Sequence, residues 1–135
     1  MGHKLRLIVA IILILSMGIF SGCKEEEKIR DLDFTVVSPE CLPEELLAEI
    51  ETKKQEEFGF SFQDGNYLYL CVGYGQQSTG GYSICVKELY LTDKSIILDT
   101  TLLGPNRTKD KEVQTDTYPY IVIKMEYIDA VVIFS

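Results

Sequence analysis

The residues best spaced for chemistry lie in a glycine-rich stretch, "QQSTGGYSICV" (Gln76 to Val86). Gly73, Gly75 and Ser78 approach a dinucleotide fingerprint, but serine stands where the third glycine is required. The segment also runs into a strand-like sequence where a helix is needed. Gly75 and Gly80 carry the glycine spacing of a phosphate loop, yet Gly81 and Tyr82 occupy the places of its lysine and hydroxyl residue. With neither the lysine nor a helix N-terminus, nothing holds a phosphate. What remains is a turn in which Gly80 and Gly81 supply backbone conformations that other residues resist.

The other reactive side chains are equally restrictive. The chain has one histidine, His3, inside its hydrophobic leader, so histidine-dependent triads, Cys-His dyads and histidine-ligated zinc have no residue to use in the body of the protein. Carboxylates are plentiful, with 21 Asp and Glu against 13 Lys and Arg and a net charge of -8. None falls in a recognisable acid-base pair, and a surplus of surface acids is ordinarily a solubility feature. Asp64 to Asn66 and Asp93 read as turn residues, and the dense ligand spacing of a calcium loop is missing. The acidic balance argues against nucleic acid, whose phosphates require a basic surplus. The expectation is a protein without catalytic residues, metal or cofactor.

The four cysteines divide by position. Cys23 ends "FSGC", directly after Lys4, Arg6 and the apolar run Leu7 to Phe20. That run falls short of the roughly 18 residues a spanning helix needs and reads as the core of a secretory signal. Small residues before a cysteine at its end look like a bacterial lipobox, with Phe20 where leucine is more usual, and predict lipidation of Cys23. The domain plan is therefore a lipoprotein signal peptide at 1–22, a charged tether at 23–31 and one β-rich domain at 32–135. The chain is expected on the extracytoplasmic face of a bacterial membrane, held by acyl chains.

The elements that would position the remaining residues follow from periodicity. Leu32 to Ser38 predicts a strand, and Leu42, Leu46, Leu47 and Ile50 fall at helical spacing, predicting one amphipathic helix over about Pro43 to Glu56. Strand-like runs occupy Phe58 to Phe62, Tyr67 to Gly75, Gly81 to Leu91, Ser95 to Leu103, Tyr118 to Tyr127 and Ala130 to Phe134. Gly104 to Thr117 is polar and aperiodic, as a long exposed loop would be. The fold class is α+β, predominantly antiparallel β with one N-terminal helix, as a small sandwich or barrel.

Treating Gln76 to Gly80 as the tip of a hairpin sets Leu70 against Val86, Val72 against Ile84 and Tyr74 against Tyr82 on one apolar face. The same register places Cys71 opposite Cys85, a candidate cross-strand disulfide in an oxidising compartment, with buried thiols as the other possibility and Cys41 left over.

The segments "STGGYSICV" and "YPYIVIK" (Tyr118 to Lys124) resemble the PrcB family of protease-complex lipoproteins, in their small C-terminal domain. Thr79, Gly80, Gly81, Tyr82, Ser83 and Ile84 match the first family segment, with Ser78 in place of its usual proline; Thr117, Pro119 and Tyr120 match the second. The resemblance implies a membrane-anchored, noncatalytic accessory subunit whose partner is another extracytoplasmic protein, a protease in the family's namesake. It brings no catalytic residues. Thr79, Gly80, Gly81, Tyr82 and Ser83 are then the candidate partner-binding residues. The alternative is a surface lipoprotein that binds a small molecule or glycan with its loop and aromatic side chains.

Overall fold

The computed structural model describes residues 26–105 and 114–135. Cys23 and most of the polar loop after Pro105 lie outside the described residues, as do the signal sequence and the start of the expected tether.

Among the described residues, eight strands form two four-stranded sheets: β1 (Lys28–Asp31), β2 (Thr35–Val36), β3 (Glu57–Asp64), β4 (Tyr67–Tyr74), β5 (Ser83–Thr92), β6 (Ser95–Leu103), β7 (Tyr120–Glu126) and β8 (Val131–Phe134). One sheet has the order β1-β5-β6-β8 and the other β2-β7-β4-β3. All pairings are antiparallel except β6 with β8. The sheets stay separate, so the β-rich fold is a sandwich and not a closed barrel. A helix, α1 (Glu44–Lys53), follows a short 3-10 turn at Pro39–Cys41.

Two hydrophobic clusters explain this layering. Leu68, Leu70, Val72, Ile123 and Met125 of one sheet meet Leu89, Ile96 and Leu98 of the other, forming the core between the sheets. The alternate residues of β4 and β7, Tyr69, Cys71 and Val122, face outward and are covered by Leu42, Leu46 and Ile50. Strand β4 is therefore buried on both faces, which is why its sequence reads as a nearly continuous apolar run. The helix begins after Pro43 with Glu44 and Glu45 in its first turn and Lys53 in its last, each sign placed where the helix dipole favours it. Fully buried Leu46 and Ile50 seat it on the sheet; truncating Ile50 to alanine would cost about 2–5 kcal/mol.

The sheet partners differ from the expected hairpin. Strand β4 turns back onto β3 through Gly65 and Asn66, with Asp64 paired to Tyr67 and Gly65 at φ 59. This two-residue connection occupies one edge of β4, and β7 occupies the other. Strand β5 lies in the opposite sheet, so the proposed register from Leu70–Val86 to Tyr74–Tyr82 does not form. Four of the six residues expected on that apolar face, Leu70, Val72, Tyr74 and Val86, border the inter-sheet core; Ile84 and Tyr82 are not in that cluster. The four meet across the sandwich instead of within one sheet.

The same change of partner removes the Cys71–Cys85 disulfide. Cys71 is fully buried beneath α1, while Cys85 is exposed on the other sheet; both are free thiols, as is exposed Cys41. Burial pushes the Cys71 thiol up to about 12, and the charge of Glu49 adds to the shift.

The N-terminal boundary also moves. Lys28–Asp31, expected at the end of a tether, pairs with Tyr90 to Thr92 as an edge strand, and Leu32 N–H donates to the Leu89 carbonyl at 3.0 Å. All four residues of β1 are exposed, so the strand forms through its backbone and leaves no apolar alternation in the sequence. The strand expected over Leu32 to Ser38 shrinks to Thr35–Val36.

Candidate functional site

Gly75 to Tyr82 connects the two sheets, carrying the chain from Tyr74 in one to Ser83 in the other. It forms a built corner, not a projecting tip. Gly75 adopts φ 75, and Gln76 N–H donates to the Gln55 carbonyl at 3.1 Å, fastening the loop to the segment after α1. Gln77 and Thr117 exchange two backbone hydrogen bonds of 2.8 Å, and the Thr117 hydroxyl donates to the Thr79 carbonyl at 2.7 Å. Tyr74 N–H donates to the Pro119 carbonyl at 3.1 Å.

These contacts bring "STGGYSI" and "TYPY" together although about forty residues separate them. The third segment is Gly104-Pro105. A side chain on Gly81 would place its Cβ 2.8 Å from the Pro105 Cβ, and Gly81 also sits at φ 85. Glycine is therefore required there twice, by backbone conformation and by space. Gly80 has no positive φ, and its nearest neighbour would be the Thr117 methyl at 4.0 Å, so this glycine has room. The adjacent glycines have different structural roles.

The tyrosines around the corner divide in the same way. The Tyr74 hydroxyl shares a 2.7 Å hydrogen bond with Thr100, linking the two sheets across the core. Tyr120 packs against the cluster beneath α1, and burial followed by the Glu51 charge raises its phenol. Tyr82 is half-buried, with its ring 3.9 Å from the position a Gly104 Cβ would take. Of the candidate binding residues, Thr79, Gly80 and Tyr82 are half-buried in the corner, whereas Gly81 and Ser83 are exposed together with Ser78. The surface available to a partner is thus narrower than the sequence motif.

A second feature lies at the opposite end of β4. Arg30, Asp33, Phe34, Tyr67, Lys124 and Tyr127 are among the residues lining a groove of about 700 Å³. No motif marks it, because its walls come from the β1–β2 connection, the start of β4 and the end of β7. Its only sequence signal is the general abundance of tyrosine. Among the described residues no group of three histidine, cysteine or acidic side chains is placed to hold a metal, and no helix is long and apolar enough to cross a membrane.

Residues 68–126 match the family described as PrcB C-terminal, and it is to that family that this part of the chain is similar. The match runs from the second residue of β4 to the last residue of β7 and contains all three segments of the corner. No curated protein and no solved structure matches the chain.

Proposed function

We propose that the protein is an extracytoplasmic lipoprotein, anchored through Cys23, that serves as a noncatalytic accessory or stabilising subunit of another surface protein. The family match is the observation that carries this reading, and its name directs attention first to a protease as the partner. The corner built from Gln77 to Ser83, Gly104-Pro105 and Thr117 to Pro119 supports it. Three chain segments fix one exposed backbone turn, and a preorganised turn binds without a large ordering cost. Ser78, Gly81 and Ser83 present that turn, while Tyr82 supports it from the side.

Site-specific crosslinking tests the proposal. A photoreactive residue at Ser78 should capture a defined envelope protease in intact membranes, and the same residue at exposed Ser61 should not. Equal capture at both positions, or none at Ser78, rejects the corner as the docking surface. Cys23→Ala should leave an unprocessed precursor or release the protein from membranes; unchanged mass and membrane partition would reject the anchor.

A further inference from the structure

The groove at the Tyr67 end has a chemical character distinct from the corner. Three rings line it, Phe34, Tyr67 and Tyr127, and they remain 39%, 45% and 41% exposed. Lys124 Nζ lies 4.0 Å from the Tyr67 ring centre, a cation-π contact that helps hold the ring in place. Four charged side chains share the groove: Arg30 and Lys124 are cationic, Asp33 and Glu126 anionic. Among the described residues, none of the four is within 4.0 Å of an oppositely charged group. The other ion pairs of the domain lie elsewhere, so this groove keeps its charged groups available.

We propose that the groove binds a neutral oligosaccharide. An ionic ligand of either sign meets as many like charges as opposite ones, which removes the gain from electrostatic complementarity. A neutral hydroxylated ligand meets no such conflict. Each hydroxyl can donate to Asp33 or Glu126 and accept from Arg30 or Lys124, while the C–H face of a sugar ring packs on an exposed aromatic ring. A volume of about 700 Å³ lies within the ordinary range for small-ligand sites.

An extended peptide fits less well. Strand addition needs a free sheet edge, but here the β7 edge is taken by β2 through Thr35–Lys124 and Val36–Ile123, and the edge strands beside the groove, β2 and β1, are only two and four residues long. Val37 N–H extends that pairing to the Val122 carbonyl, and Tyr127 N–H is already bound to the Asn66 carbonyl. Recognition in this groove therefore rests on side chains and rings. The inference is independent of partner binding at the other end of the domain.

The test is titration of the isotopically labelled full chain, in a detergent lacking a sugar headgroup, with chitotetraose and separately with tetra-alanine. Amide shifts should appear with the sugar at residues 30–35, 67 and 124–128, with millimolar or tighter affinity. Tyr67→Ala should weaken that binding at least tenfold while leaving the remaining spectrum folded. No sugar-dependent shifts, shifts confined to residues 76–83, binding of the peptide alone, or sugar binding unchanged in Tyr67→Ala would each overturn the proposal.

Discussion

The two ends of strand β4 were built for different purposes. At the Tyr74 end, backbone hydrogen bonds from Gln76, Gln77 and Tyr74 and the Thr117 hydroxyl contact close a corner around Gly75 and Gly81, which admit little change. At the Tyr67 end, rings stay half-exposed and charged side chains face a groove without ion-pair partners among the described residues. The first end spends its polar groups on its own shape; the second leaves them available. A family signature can therefore mark residues that hold a surface in place more than residues that touch a ligand.

The middle of β4 provides the reference for both ends and the largest expected effect. Cys71 is sealed beneath α1, so an alkylating reagent near pH 8 should modify Cys41 and Cys85 rapidly and Cys71 only when the chain unfolds. Mass spectrometry of digested, time-quenched samples checks this; rapid Cys71 labelling in the folded chain would mean that α1 opens locally. The same thiol gives a pH dependence. Its ordinary value is 9.0 and its folded value about 12, so the unfolded chain loses this proton first as pH rises. Stability should fall between about pH 9 and 12, and Cys71→Ser should reduce that slope in denaturant titrations.

The corner should next distinguish its two glycines. Gly81→Val is expected to cost about 2 kcal/mol or more, from positive φ and collision with Pro105, whereas Gly80→Ala should change stability by less than about 1 kcal/mol. Equal losses at the two positions in urea unfolding would contradict their assigned roles. Gly81→Val consequently reports folding as well as recognition, and Ser78 is the cleaner probe of a partner. Tyr74→Phe should cost about 1 kcal/mol by removing the hydroxyl bond to Thr100. The smallest effect belongs to the groove: Tyr67→Ala should lower stability by less than about 1 kcal/mol, because its ring is substantially exposed. A larger loss would make Tyr67 a packing residue.

Side-chain alternation carries information about faces more readily than about neighbours. Leu70, Val72 and Val86 alternate with residues of the opposite face, and that pattern locates the inter-sheet core in the sequence. It is silent on whether two apolar faces lie side by side or across from one another, so the β4–β5 register and its disulfide failed together. Strand β1 escaped notice because its exposed side chains carry no alternation. The corner was legible as a motif, but its cause was not, since Gly81 meets Pro105 only after the chain has folded. Phe34, Tyr67 and Tyr127 were individually visible; their common groove depends on three remote segments.

The edge position of β1 sets the domain's reach. If the lipid is carried at Cys23, five residue steps separate it from Lys28, a contour of at most about 18 Å. A domain held this closely cannot sweep a wide volume in search of a partner. With such an anchor, any pull between membrane and body would enter through a four-residue strand at the margin of a sheet, and the β1–β5 pairing would bear it.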